Sequence, residues 1–109
     1  MFARKVSLQL KPNTTLAEFA STFEKEIVPL LRKQQGFKDE ITFAAPGSTE
    51  VLAFSLWDTQ KNADLYDSKE YKNVLKMLAN VIDGTPKVAT TEVLHSTFHE
   101  IRAANPVAA

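Results

Sequence analysis

The N-terminal segment alternates between apolar and polar residues. From Phe2 to Leu10 the even-numbered positions are apolar apart from Arg4, and the odd-numbered positions are mostly small or polar. A period of two residues predicts a β-strand with one mostly apolar face. The sequence Lys11-Pro12-Asn13 predicts the end of this strand.

The period then changes to that of a helix. Thr15 and Glu18 form a capping-box pattern at its start. Pro29 lies inside the predicted helix and removes one backbone donor, so we expect a bend or a tightened last turn there. Gly36 suits the left-handed position at which the helix ends. The apolar residues at helical spacing are Leu16, Phe19, Ala20, Phe23, Ile27, Leu30 and Leu31.

Two further strands are predicted in the middle of the chain. After Phe37, Ile41 and Phe43 share one face of the first, residues 46–49 make a turn, and residues 50–57 form the second. Both faces of this second strand are rather apolar, which predicts a central strand that is covered on both sides.

The remaining residues predict a helix in two pieces and a final strand. The first piece ends near Asp67, which forms a second capping box with Glu70. Residues 83–86 predict the end of the second piece, and residues 88–101 are typical of a long strand. The apolar positions of the two pieces are Ala63, Tyr66, Tyr71, Val74, Leu75, Leu78 and Ile82.

The order βαββαβ predicts a ferredoxin-like α+β fold, an antiparallel sheet with two helices on one face. Residues 1–102 are predicted to form a single domain, and residues 103–109 a flexible C-terminal tail. An apolar sheet face seldom stays exposed to water, so we expect a homodimer through the uncovered face. The candidates for that face are Val51, Ala53, Trp57 and Val93.

Composition narrows the classes of function. Thirteen basic and thirteen acidic residues cancel, without a block of like charge, which argues against nucleic acid as a partner. No stretch approaches the ~20 apolar residues of a membrane span, and we expect no membrane partner. Cysteine is absent, which excludes thiol nucleophiles and fits a reducing compartment. We therefore expect a cytoplasmic protein.

The only two histidines, His95 and His99, lie four positions apart. On a helix they could share a zinc ion. On a strand four residues span ~13 Å, whereas two Zn–N bonds together cover only ~4 Å. The flanking residues favour a strand, so we predict no metal site and ordinary exposed or dimer-rim histidines. The alternative is that one of them reaches a pocket as a general base.

Other catalytic signatures are missing, and the acidic residues are interpreted as solvated faces. There is no nucleophile elbow and no phosphate-cradling loop. An aromatic group remains around the junction of the third strand and the second helix. It consists of Trp57, Tyr66 and Tyr71, with Phe54 nearby in sequence. Either these residues form a plain core, or they line a pocket in which tyrosine hydroxyls orient a flat apolar ligand.

The stretch S-L-W-D-T-Q-K-N-A-D-L-Y-D-S-K-E-Y resembles the small antibiotic-biosynthesis-monooxygenase-like proteins of the dimeric α+β barrel superfamily. The shared features are a strand that ends in tryptophan, a short polar turn, a helix start, and a serine followed by an aromatic residue. Here these are Trp57, Asp58-Thr59, Ala63, Ser68 and Tyr71. The segment from Val28 to Phe37 is similar to the end of the family's first helix. The resemblance covers about residues 2 to 100.

The resemblance implies a homodimer whose two sheets pack into a barrel, with one pocket in each protomer. Enzymes of this family oxygenate polycyclic phenols or quinols without a metal or flavin cofactor, and others degrade haem. The haem-degrading branch uses an asparagine on the first strand and a histidine on the second helix. Residues 2–10 contain no asparagine and residues 68–82 no histidine, so haem degradation is disfavoured.

We therefore expect a cofactor-independent monooxygenase that acts on a small aromatic or quinol-type metabolite. The resemblance gives Trp57 and Tyr66 catalytic roles, in which Trp57 stacks on the substrate and Tyr66 hydrogen-bonds its hydroxyl. The expected substrate-binding residues are Tyr71, Phe54, Ser55 and Arg4. The alternative is a non-catalytic dimeric module of the same fold that binds a ligand or a partner.

Overall fold

The computed structural model describes residues 1–98, which contain one four-stranded antiparallel sheet. The strands are β1 (Phe2–Leu10), β2 (Phe37–Ala44), β3 (Glu50–Trp57) and β4 (Ile82–Glu92). Their order in the sheet is β2-β3-β1-β4. With a helical segment after β1 and another after β3, this is the predicted ferredoxin-like α+β fold. The boundary predicted at residue 102 and the tail at 103–109 lie outside the described residues.

The first helical segment contains a wide turn before Pro29 and a tightened turn at its end. It runs through α1 (Leu16–Thr22), a π-helical turn (Phe23–Ile27) and α2 (Val28–Arg32). The backbone N–H of Val28 donates to the carbonyl of Phe23, five residues earlier. Pro29 explains the widening, because its ring would collide with the carbonyl four residues before it in a regular α-helix. The backbone N–H groups of Lys33 and Gln34 then donate to the carbonyls of Leu30 and Leu31, three residues earlier, so the expected tightened last turn is confirmed.

The second helical segment is divided three residues later than predicted. It consists of α3 (Gln60–Lys69) and α4 (Tyr71–Leu78). Thr59 caps α3 by accepting a hydrogen bond from the backbone N–H of Asn62 at 3.2 Å. Asp67 lies inside α3 and its carboxylate accepts from Arg4, so the predicted helix cap at Asp67 was wrong.

The last strand begins and ends earlier than predicted. Ile82 opens β4 instead of closing a helix, and the strand ends at Glu92. The turn signal in residues 83–86 corresponds to an irregularity within the strand. Ser7 pairs with Lys87 and Gln9 pairs with Asp83, so three residues of β4 lie opposite Leu8. A glycine and a proline are well suited to such a bulge, because neither supports a regular ladder.

The two faces of β3 are the reverse of those expected. Val51, Ala53 and Trp57 are buried beneath the helices, and they belong to the main core. The intervening residues Leu52 and Leu56 point to the uncovered side of the sheet. The prediction that Val51, Ala53 and Trp57 line the exposed face was therefore wrong. Both sets of side chains are apolar, so the alternation alone could not distinguish the two orientations.

Candidate functional site

A row of polar residues crosses the helix-covered face of the sheet. Ser55 on β3 pairs with Glu40 on β2 and with Arg4 on β1. Adjacent strands lie ~4.8 Å apart, which places the Cα atoms of Glu40 and Arg4 about 10 Å from each other. The neighbouring rows on this face are largely apolar. The row therefore concentrates hydrogen-bonding groups in one place between the sheet and the helices.

Arg4 is the buried cation of this row. Only 3% of its side chain is exposed, and Nη2 donates to Oδ1 of Asp67 at 2.6 Å. Its Cζ lies 4.4 Å from the ring centroid of Tyr71 and 5.1 Å from that of Tyr66. The carboxylate and the two π faces compensate for the loss of water around the guanidinium. Arg4 is therefore held in position before any ligand arrives.

Trp57 is packed on several sides. Its side chain is fully buried, and Nε1 donates to Oγ of Ser55 at 2.9 Å. The ring stacks on Tyr66 with centroids 4.9 Å apart and meets the edge of Phe37 at 5.6 Å. The structure thus brings Trp57, Tyr66 and Ser55 together, while the stacking of Trp57 on a substrate stays a prediction. In this arrangement Tyr66 occupies one face of the indole.

The two tyrosines are neutral hydrogen-bonding groups. Burial raises the pKa of Tyr66 and of Tyr71 above the ordinary value, and the nearby Arg4 cation opposes this shift. Both phenols therefore keep their protons near neutral pH. Within residues 1–98 the buried hydroxyl of Tyr71 has no hydrogen-bond partner. Such groups are rare in folded proteins, because the lost hydration is not replaced.

A small enclosed cavity lies beside these groups. Its volume is about 40 Å³. Its polar lining comes from Arg4, Glu40, Ser55, Tyr66 and Tyr71, and its apolar lining includes Phe23, Ile27, Leu31 and Leu78. This volume holds about one to three water molecules, well below the ~300 Å³ of a typical ligand site. The cavity in this conformation therefore has no room for an aromatic ring.

A larger groove adjoins the enclosed cavity. The groove has a volume of about 310 Å³ and lies between the first helical segment and β2. Phe19 and Phe23 form part of its apolar wall, while Thr42 and Glu24 provide polar groups. Phe23 and Glu40 line both spaces. These two residues therefore belong to the wall of each space.

Glu40 is the site residue that the sequence analysis missed. Thr42 donates to its Oε2 at 2.7 Å. Burial raises the pKa of Glu40 to about 7, the charge of Asp39 adds to the effect, and the hydrogen bond from Thr42 opposes it. The available signal was the position of Glu40 within β2, two residues before Thr42 and on the same face. In the sequence alone, this position does not distinguish Glu40 from the solvated acidic residues.

Phe54 does not belong to this site. Its ring meets Phe43 edge-on at 5.9 Å, and Phe43 is 54% exposed on the uncovered side of the sheet. Phe54 alternates with Ser55 and so points away from the helices. The expectation that Phe54 lines the pocket was wrong, because its side chain lies on the opposite side of the sheet.

His95 contributes nothing to the site within residues 1–98. His95 is exposed and follows the end of β4, so the predicted strand does not reach it. His99 lies outside the described residues. Residues 1–98 contain no group of three or more histidine, cysteine or acidic residues that could hold a metal ion. In the same residues no helix has the length and apolar character needed to cross a membrane. A cytoplasmic location stays a prediction.

Several solved structures share this fold. The NE2512 protein of unknown function from Nitrosomonas europaea has a TM-score of 0.71 at 18% identity, over 88% of this chain and 91% of its own. SnoaB, a cofactor-independent oxygenase from Streptomyces nogalater, has a TM-score of 0.70 at 11% identity, over 88% of this chain and 95% of its own. A monooxygenase from the gene ActVA-Orf6 of Streptomyces coelicolor, in complex with Nanaomycin D, has a TM-score of 0.70 at 13% identity. The match covers 87% of this chain and 88% of that one. No protein-family model and no curated protein sequence matches the chain.

The resemblance inferred from the sequence is confirmed at the level of the fold. The chain has the fold of antibiotic-biosynthesis-monooxygenase-like proteins, some of which are cofactor-independent oxygenases. At identities of 18% or less the likeness concerns the backbone arrangement. The chemistry has to be argued from the side chains of this chain.

Proposed function

We propose that the protein is a cofactor-independent monooxygenase acting on a small phenolic or quinol-type aromatic compound. The observation that carries the proposal is the buried Tyr71 hydroxyl, which within residues 1–98 has no partner in hydrogen-bonding geometry and lines the same cavity as Arg4. A substrate oxygen placed there would accept a hydrogen bond from Tyr71 and would lie near a fixed positive charge. Both interactions favour the anion that a phenol or quinol forms before it reacts with oxygen.

The proposed reaction requires no group beyond the substrate and molecular oxygen. For an anthrone, the ring methylene loses two hydrogens, one oxygen atom becomes the new carbonyl, and the other leaves as water. The substrate supplies the electrons that reduce oxygen. The protein would bind the ring through the groove after Phe23 rotates, orient its oxygen with Tyr66 and Tyr71, and exclude water. Trp57 would fix the ring of Tyr66 by stacking.

We also propose that the functional unit is a homodimer formed through the uncovered sheet face. That face carries the apolar side chains Ile41, Phe43, Leu52, Phe54 and Leu56. Phe43 is 54% exposed and Leu52 36% in the single chain. Contiguous apolar surface of this kind favours association. Such a dimer would leave the helix-covered face, and hence the site, within each protomer.

An oxygen-uptake assay tests the proposed activity. The protein is mixed with a panel of anthrones and hydroquinones in air, and quinone absorbance is followed beside oxygen consumption. We expect at least one compound to react faster than in buffer, and Tyr71→Phe to slow that reaction by ~10-fold or more. Rates equal to background across the panel would contradict the proposal.

The second candidate is a non-catalytic module of the same fold, which the small volume of the enclosed cavity favours. In that case Trp57 and the tyrosines serve only as core. Trp57→Ala would then cost about 3–5 kcal/mol of stability, with no separate loss of function. The oxygen-uptake panel distinguishes the two candidates, because only the oxygenase depends on the Tyr71 hydroxyl.

A further inference from the structure

Glu40 occupies the boundary between the enclosed cavity and the groove. It lies on β2, faces the helices, and lines both spaces together with Phe23. A ligand that entered the groove would therefore meet the Glu40 side chain before it reached Tyr71. No other acidic residue of residues 1–98 lines both of these two spaces.

The Glu40 carboxylate has unused hydrogen-bonding capacity. Within residues 1–98 its side chain receives one hydrogen bond, from Thr42 to Oε2 at 2.7 Å, and forms no salt bridge. Oε1 can therefore accept a hydrogen bond from a ligand. A partly buried carboxylate without a cation is destabilised in its charged form, and this explains why its pKa rises to about 7.

The other charged and polar groups around Glu40 do not compensate for the missing cation. Arg4 shares the enclosed cavity but is bonded to Asp67 at 2.6 Å. Tyr71 is a neutral phenol there, and Glu24 across the groove is a second acid. On the outer side of β2, Arg32, Lys38 and Asp39 line a further space together with Glu40, but within residues 1–98 neither cation forms a salt bridge with Glu40. A neutral hydrogen-bond donor on a ligand is therefore the partner that the carboxylate lacks.

We propose that Glu40 accepts the hydroxyl hydrogen of a phenolic ligand seated in the groove and acts as the general base of the oxygenation. In the proton transfer the phenolic O–H bond breaks, the proton passes to a carboxylate oxygen of Glu40, and the electron pair stays on the phenolate oxygen. The phenolate is then oxidised by molecular oxygen: a ring carbon loses its hydrogen and gains one oxygen atom as a carbonyl, and the phenolate oxygen becomes the second carbonyl. The other oxygen atom leaves as water with two protons, one of which Glu40 returns. The base role rests on the proposed function, whereas the contact between Glu40 and the hydroxyl does not.

The size and lining of the groove define the ligand class. A volume of about 310 Å³ accommodates an aromatic ligand of two rings, and Phe19 and Phe23 provide rings for it to pack against. A base that titrates near neutral pH is suited to a weakly acidic hydroxyl. The ligand class is therefore a fused-ring phenol with one hydroxyl directed toward β2.

A binding experiment with 2-naphthol tests the contact without requiring turnover. Its hydroxyl stays neutral until the pH approaches ~10, as for other phenols. Its methyl ether, 2-methoxynaphthalene, has the same rings but no donor. Dissociation constants are measured by fluorescence at about two pH units below and above 7, for the unaltered protein, Glu40→Gln and Glu24→Gln.

The proposal predicts that 2-naphthol binds the unaltered protein ~10-fold more tightly at the higher pH, because the hydroxyl then donates to a charged carboxylate. Glu40→Gln should lose this pH dependence, and Glu24→Gln should keep it. The methyl ether should bind equally at both pH values. Absence of saturable binding, equal binding of 2-naphthol at both pH values, or pH dependence that survives in Glu40→Gln would each overturn the proposal.

Three comparisons keep the test decisive. The two ligands on the unaltered protein test the contact even if Glu40→Gln does not fold. If binding follows the predicted pattern and no panel compound is oxygenated, the proposed function fails while the contact stands. If oxygenation by Glu40→Gln keeps the rate and the pH profile of the unaltered protein, the base role fails while the oxygenase stands.

Discussion

Arg4 and Asp67 form the ion pair that ties the first strand to the third α-helix. They are 63 positions apart in the sequence, and Nη2 of Arg4 lies 2.6 Å from Oδ1 of Asp67. The pair is asymmetric, because 3% of the Arg4 side chain is exposed and 51% of the Asp67 side chain. Asp67 thus compensates a buried charge from the surface, and it fixes the guanidinium against the two tyrosine rings.

Removal of the Asp67 carboxylate should show how far the stability of the fold depends on this ion pair. Asp67→Asn leaves the Arg4 charge buried without its partner, and we expect a loss of about 1–2 kcal/mol of unfolding free energy, since Asp67 is half exposed. Urea denaturation at neutral pH measures the change. Asp64→Asn, an exposed acid on the same helix, is the matched control and should change stability by less than about 0.5 kcal/mol. Equal effects of the two substitutions would contradict the assigned role of the pair.

The raised pKa of Glu40 predicts a pH-dependent stability difference. The pKa rises from an ordinary value of 4.5 to about 7 in the folded protein. The folded state therefore favours the protonated carboxyl, and the charged carboxylate lowers the free energy of unfolding. This loss of stability is absent below pH 4.5, grows between pH 4.5 and about 7, and is constant above about 7. Glu40→Gln avoids this loss. We expect the free energy of unfolding of Glu40→Gln, relative to the unaltered protein, to rise by about 1–2 kcal/mol from the lower to the upper end of this pH range. This figure allows for the partial exposure of Glu40.

Urea denaturation of both proteins at several pH values within and beyond this window measures the difference. The comparison cancels the titration of all other groups, which are common to both proteins. A stability difference that does not change with pH would show that Glu40 titrates normally, and a decrease with rising pH would reverse the assigned sign.

Two glycines with similar backbone angles should respond differently to alanine. Gly36 has φ 81° and Gly47 has φ 76°, both in the left-handed region. A Cβ on Gly36 would collide with the side chains of Asp58 and Asn62, whereas a Cβ on Gly47 meets nothing within 4 Å. Gly47→Ala should therefore cost only the backbone strain of about 1 kcal/mol, and Gly36→Ala about 2–4 kcal/mol. Thermal unfolding of the two variants shows which one loses more stability, and a larger loss for Gly47→Ala would contradict the prediction.

The proposed dimer predicts a contrast between two exposed leucines. Leu52 lies on the uncovered sheet face and is 36% exposed, while Leu65 lies on α3 and is 37% exposed. Leu52→Glu would place a charge in the dimer interface and should yield particles with the mass of one chain. Leu65→Glu should leave the dimer intact. Sedimentation at micromolar concentration decides the matter, and an unaltered protein that sediments as a single chain would contradict the dimer.

The sequence predicted the order of the elements well, because hydrophobic period and helix caps are local signals. It could not decide which face of β3 meets the helices. Trp57 and Phe54 are both large aromatic residues on alternate sides of that strand, so either side could have formed the core. Only the packing of the helices against Trp57 distinguishes the two orientations.

The boundaries of β4 and the role of Glu40 depend on tertiary structure. Ile82 fits a helical spacing after Leu78, but its pairing with Leu10 places it in the sheet. Glu40 looks like any surface acid in the sequence. Its significance comes from the alignment with Ser55 and Arg4 across three strands and from the groove beside it. Neither relationship is local in the chain.

A crystal structure of the protein soaked with 2-naphthol tests most directly whether the helix-covered polar row is a ligand site. We expect the rings in the groove against Phe23, with the hydroxyl oxygen about 3 Å from a carboxylate oxygen of Glu40 or from the hydroxyl of Tyr71. Rings bound elsewhere, or a hydroxyl directed to solvent while Glu40 and Tyr71 remain unengaged, would contradict it.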